Sequence, residues 1–302
     1  MALRMGSQSF GTRRAVHIVS DLGSEQHPEL PPCGVAAVDD ARMDARSLVF
    51  HVGDEISGWG RLVRAPTGDW FDPPLADPLI GYGPEGRPPP RPSSYGIPVD
   101  GADFDAVEAR YERDGAIDGF AKIYGVWLAD RISVHRQSTE RVERVLPRWS
   151  DPPCERPPGG WPHGMNGRQV DNLDFDLGDL EDTGAAVTTV IFRPSDDQAV
   201  LVVAATDIAA VEAQLRSQLP DRLCVVPSRW TRAQLDQAQE HLLASWDQWG
   251  IYGSGPRCDE QAQATMTATL VRVTDEIADW IDTQPDGLVG LEPCLAPRRA
   301  GS

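Results

Sequence analysis

Apolar residues alternate with polar or small ones along Ile56-Ser57-Gly58-Trp59-Gly60-Arg61-Leu62-Val63, the period of a strand with one buried face. Leu48-Val49-Phe50-His51-Val52, just before it, predicts a second strand. Further on, residues 119–127 and 131–135 predict two strands joined at Leu128-Ala129-Asp130, which makes a hairpin. Between these pieces Asp103 to Asp114 predicts a helix, with Phe104, Val107 and Tyr111 on one face, Asp105 and Glu108 in loose capping-box spacing, and Gly115 as the stop. The stretch from Ala65 to Pro98, which includes Gly86-Arg87-Pro88-Pro89-Pro90-Arg91-Pro92, is expected to hold no sheet ladder and to form a lid or a disordered excursion.

The second half of the chain is patterned more regularly. Strands are predicted at Val187 to Arg193 and Ala199 to Ala204, around the turn Pro194-Ser195-Asp196-Asp197. Asp207 caps a helix bearing Ile208, Val211, Leu215 and Leu219, and Leu223 to Val226 returns as a strand. Thr231 and Gln234 open a helix whose Leu235, Ala238, Leu242 and Trp246 form one stripe. A strand at Thr265 to Val273, a helix at Thr274 to Asp282 and a strand at Gly287 to Leu291 complete the order, while Gly253-Ser254-Gly255-Pro256 reads as loop.

These elements predict an α+β chain in four parts. They are an irregular segment at 1–45, a β module at 46–146 that holds the 65–98 loop, a Pro-rich then acidic linker at 147–185, and an α-plus-β module at 186–297. In the last, about three helices are expected to cover one mixed sheet. Strands, one helix and a closing hairpin over 46–137 resemble the order of OB-type small β-barrels, whose helix lies between the third and fourth strands. That resemblance implies a small barrel-like fold for this module and rests on element order alone.

At 302 residues the chain can bury a sizeable core. Its formal charge of −18 is dispersed, and every one of the four parts is net negative. Phosphate-binding proteins gather cations on a face, so nucleic acid is not expected as a partner and a neutral or basic one is. Lys122 is the only lysine among 28 basic residues, a bias assigned to genome composition. No apolar run approaches a membrane span or a signal peptide. Cys33, Cys154, Cys224, Cys258 and Cys294 are scattered, odd in number and never in CxxC spacing, which predicts idle thiols in the cytoplasm and no membrane association.

Candidate chemistry is sparse. His51, Asp54 and Glu55 stand at a strand end, where a base and two carboxylates could serve a hydrolase-type site roofed by the 65–98 loop. Cys154 and His163 could hold zinc only with help from residues such as Cys33 and His27. The acidic run 171–179 lacks the glycine and glutamate of a calcium loop. No nucleophile elbow, phosphate loop or dinucleotide fingerprint occurs, so no cofactor or metal is expected. Nine tryptophans are the main compositional excess. Trp70, Trp149 and Trp161 fall in Pro-rich loops and are the candidate anchors for a partner, whereas Trp59 and Trp127 could stack a single-stranded nucleic acid only beside a basic groove. The reading is a non-enzymatic interaction or regulatory protein binding a protein or small molecule through loop tryptophans, with the hydrolase as its alternative.

Overall fold

The computed structural model describes residues 44–74, 87–140, 149–164 and 175–298. Glu55–Ala65 (β1), Gly68–Asp72 (β2), Ile97–Asp100 (β3), Glu108–Arg113 (β4), Ala116–Trp127 (β5) and Ile132–Ser138 (β6) belong to one sheet. There β1 pairs antiparallel with β2 and with β5, β2 pairs antiparallel with β3, β3 runs parallel to β6, and β6 pairs antiparallel with β5. The pairings therefore run β1-β2-β3-β6-β5 and return to β1. Ile56, Leu62, Phe71, Val99, Ile123 and Ile132 pack as one buried cluster, and the side chains between them in sequence face outward.

Three expectations for this region are corrected. The helix at 103–114 is absent: Glu108–Arg113 is strand β4, paired to β5 through the two-residue turn Asp114-Gly115, where φ is positive at both residues. An Asp-Gly dipeptide favours that type of hairpin turn, and here it outweighs the helical spacing of Phe104 and Tyr111. The strand at 48–52 is instead a 3-10 turn, Ala45–Leu48, followed by a single bridge from Val49 to Val273. The stretch 65–98 does hold a ladder. Pro66-Thr67 make the tight turn, Gly68 follows it at φ +125 opposite Ala65, and Asp69-Trp70-Phe71-Asp72 pair back onto β1, while β3 forms at the far end. Prolines and glycines concentrate only beyond Asp72.

The remainder contains Ala186–Phe192 (β7), Val200–Ala205 (β8), Ile208–Leu215 (α1), Leu223–Pro227 (β9), Arg232–Ala244 (α2), Ile251–Cys258 (β10), Ala264–Leu270 (β11), Asp275–Asp282 (α3), Val289–Pro293 (β12) and Leu295–Pro297 (β13). The caps are local and chemical: Asp207, Thr231 with Gln234, and Thr274 each accept from the first turn of their helix. The single mixed sheet expected here is two three-stranded sheets, β7-β8-β9 and β10-β11-β12. Each joins an antiparallel pair to a parallel one, the parallel strands being bridged by α1 and by α3. β10 falls where a loop was expected, and β13 carries the chain back to pair with β1. The fold is mixed α+β with several sheets, and no described helix is long and apolar enough to cross a membrane.

The thiols are not all idle. Cys154 and Cys224 form a disulfide that fastens residues 149–164 onto β9. Trp161, Phe192, Val200 and Val202 fill the space beneath this strap, so β8 is covered on one face by α1 and on the other by the strap.

Candidate partner-binding surface

The outward row of β5 is Asp118, Phe120, Lys122, Tyr124 and Val126. Ladder register sets Tyr124 opposite Arg136 on β6 and opposite Ser57 on β1. Arg298, just past β13, is brought to the same place because its N–H donates to the Glu55 carbonyl at 2.8 Å. Three cations thus converge on one ring: Arg136 at 3.7 Å, Lys122 at 5.3 Å and Arg298 at 5.7 Å from the Tyr124 centroid. None of the three has a carboxylate partner among the described residues. Glu55, at the start of β1, lies 3.5 Å from His135. In a chain of net charge −18, this face is locally cationic.

Beside it on the same outer surface lies a buried ionic network. Asp72 is fully buried and Asp118 is 2% exposed. Arg61 donates to Asp72 at 2.7 Å and lies 3.5 Å from Asp118, which also accepts from Arg87 at 2.9 Å. Asp72 further accepts from the Ser93 N–H at 3.0 Å, and the Arg91 carbonyl accepts from Arg61. Charges this deep persist only when paired and hydrogen-bonded. Their effect is to clamp residues 87–96 over β1, β2 and β5. The same segment presents Tyr95, whose hydroxyl accepts from Trp246 Nε1 at 3.0 Å, so the clamp extends to the end of α2.

The residues singled out from the sequence fall elsewhere. Asp54 accepts from the His51 N–H within its own turn, His51 points toward Asp275 at 3.6 Å, and Glu55 faces His135. All three side chains are exposed, with His51 at 70%, and the structure does not bring them to a common point. The described part of the 65–98 loop is bonded to Arg61 and Asp118 through the Arg91 carbonyl and Arg87, and among the described residues it makes no hydrogen bond to the side chains of His51, Asp54 or Glu55. Trp161 is buried beneath the strap, Trp149 stacks on Phe192, and Trp70 is half-buried. Trp59 and Trp127 belong to buried packing, at 3% and 5% exposure.

Cys154 is committed to its disulfide, and His163 instead contacts Asp197 at 3.1 Å. Asp197 is held below the ordinary carboxylate range by the Ser195 hydroxyl first and by His163 second. Cys33 and His27 lie outside the described residues, as does 171–174 of the acidic run, whose Asp176 serves to cap the turn at Gly178. The cationic face was not found from sequence. Its one local signal is the alternation Lys122-x-Tyr124, and Arg298 reaches it only through the non-local pairing of β13. Against known proteins, no family model, no curated protein and no solved structure matches this chain.

Proposed function

We propose that the chain is a non-enzymatic interaction protein whose Lys122, Tyr124, Arg136 and Arg298 face receives an acidic segment of a protein partner. The observation that carries the reading is the convergence on one tyrosine of three cations that have no carboxylate partner among the described residues. Like charges gathered without counter-charges cost energy that an anionic partner recovers. Net charge would favour a basic partner, but recognition follows the local field, and here the sign is reversed. Carboxylates fit better than nucleotides because the Tyr124 ring is already covered by Arg136, and Trp59 and Trp127 are buried.

The scaffold in this reading is a small closed barrel of the OB type over residues 55–138, with β4 as an added strand in place of the helix. The ring of pairings and the parallel β3–β6 contact support it. The strap and the two small sheets would form the second module. A cytoplasmic setting has a measurable consequence: Cys154 and Cys224 would be held reduced there, adding two thiols to the free count.

Fluorescence anisotropy with a labelled ten-residue oligoglutamate peptide tests the proposal, with oligothymidylate of equal charge as comparator. Saturable peptide binding that weakens at least ~10-fold in Lys122→Glu/Arg136→Glu is expected, since each reversed contact removes an attraction and adds a repulsion. Peptide binding unchanged by the reversals, or tighter binding of the oligonucleotide, overturns it.

A further inference from the structure

The strap over β7-β8-β9 is held at its two ends and at one sulfur. At the first end the Arg193 N–H donates to the Trp149 carbonyl at 2.7 Å, and the Trp149 ring stacks on Phe192. At the second, Gln198 donates to the Trp161 carbonyl and, at 3.0 Å, to His163 Nε2, while His163 Nδ1 meets Asp197 at 3.1 Å. Between these ends, residues 150–160 make no hydrogen bond to the rest of the described chain. Pro152, Pro153, Pro157 and Pro158 have no N–H to offer. The bonds that do form, Arg156 to Asp151 and the Gly160 N–H to the Pro157 carbonyl, stay within the strap. Its middle is therefore fastened by Cys154 to Cys224 on β9, and otherwise by apolar contact alone.

Two further features leave this fastening open to reversal. Trp161 is 4% exposed, and its indole N–H has no hydrogen-bond partner among the described residues. A buried donor left unpaired opposes its own burial, because water would satisfy it. The two sulfurs also differ in access. Cys224 is 2% exposed and packs among Val200, Val202 and Val226, whereas Cys154 on the strap is only half-buried. A nucleophile from solvent therefore meets the Cys154 sulfur first.

We propose that Cys154–Cys224 is a redox latch, opened by a dithiol reductant, which lets residues 150–161 lift from the sheet and uncovers the apolar face of β8 and β9. In the opening step a thiolate of the dithiol attacks Cys154 Sγ. A new S–S bond forms there, the bond to Cys224 breaks, and its electron pair leaves on Cys224 Sγ, which takes a proton from solvent. The second thiolate of the dithiol then displaces Cys154, which is protonated in turn. Two electrons and two protons have reached the protein, and the dithiol has become its own disulfide. The released segment turns about its ends, where the Trp149 carbonyl stays bonded to Arg193 and His163 to Asp197. The Trp161 indole reaches water, and Phe192, Val200, Val202 and Val226 lose their cover. Exchange with a small-molecule disulfide reverses the step and closes the face. The latch lies on a different sheet from the cationic face of β5 and does not rest on it.

Limited digestion of the full chain with a glutamate-specific protease, with emission of the hydrophobic dye ANS read in parallel, tests the latch before and after dithiothreitol. Glu155 lies in the middle of the strap and is exposed, so cleavage after it reports release of the residues on either side. Cleavage there is expected to rise at least ~10-fold on reduction, following the population of the lifted form, with brighter dye emission and an unchanged far-ultraviolet circular dichroism spectrum. Both signals should return after exchange with oxidised glutathione. Cys154→Ser/Cys224→Ser should show the reduced values without dithiothreitol and no further change with it, which separates the latch from Cys258 and Cys294. If that double variant does not fold, Cys154→Ser alone, which keeps cysteine at the buried position, is read in its place. Cleavage and emission unchanged by reduction, or loss of the folded spectrum on reduction, overturns the proposal.

Discussion

Replacing Asp72 by alanine should loosen one segment far more than it disturbs the rest. The carboxylate is fully buried and receives Arg61 at 2.7 Å, the Ser93 N–H at 3.0 Å and the Ser93 hydroxyl at 3.2 Å. Removing one side of a buried ion pair costs about 3–5 kcal/mol, because the other charge stays behind. Arg61 is 22% exposed and keeps the Arg91 carbonyl and Asp118, which brings the expectation to the low end, about 3 kcal/mol. Asp72→Asn preserves volume and one acceptor for Ser93, so about half that loss is expected. Urea unfolding followed by tryptophan fluorescence reads the difference. With a slope of roughly 2–3 kcal/mol/M, the alanine variant's midpoint should fall by about 1–1.5 M. Locally, residues 87–96 should detach, and chymotrypsin should cut after Tyr95 faster than in the parent. A midpoint within roughly 0.2 M of the parent, or an unchanged cleavage rate at Tyr95, would refute the reasoning.

Three other outcomes follow from separate parts of the fold. The Cys154–Cys224 disulfide closes a span of 70 residues, so Cys154→Ser/Cys224→Ser should lower stability by about 4 kcal/mol on the loop-entropy account, read as a difference between oxidised parent and variant unfolding curves. Asp197 is held below its ordinary value near 3.8 by Ser195 and then His163. Its stabilising effect is therefore present above that value and lost as pH falls through the lower folded-state value, and the stability gap between parent and Asp197→Asn should close on acidification below about pH 4. Gly60→Ala would place a Cβ 2.4 Å from the Asp72 carbonyl and 2.5 Å from the Phe71 ring. Backbone must then shift where β1 meets β2, and a thermal scan should show a loss of roughly 1–3 kcal/mol.

Sequence pattern reached the elements whose signals are local. β1, the β5–β6 hairpin, β7, β8, β9, β11 and the three capped helices each carry their alternation, stripe or cap within a dozen residues. It missed where a local cue had two meanings or where the partner was distant. Asp114-Gly115 stops a helix as readily as it turns a hairpin, and only the pairing of β4 with β5 decides between them. Gly253-Ser254-Gly255-Pro256 has loop composition, yet β11 recruits it as an edge strand, the position at which proline is tolerated. The disulfide joins a Pro-rich segment to a strand 70 residues away, a pairing that spacing does not encode. For the cationic face, Lys122 and Tyr124 were visible as alternate residues of one strand. Arg136 needed the ladder register, which a bulge beside Tyr124 shifts by one residue, and Arg298 needed the return of β13 to β1.

The central claim is that the outer face of β5 and β6, completed by Arg298, is where an acidic partner sits. Hydrogen exchange read by mass spectrometry, with and without saturating oligoglutamate peptide, tests it most directly. Protection confined to peptides covering 116–138 and 289–298, and absent from the Lys122→Glu/Arg136→Glu variant, is the predicted result; protection elsewhere with none on these strands would contradict the account.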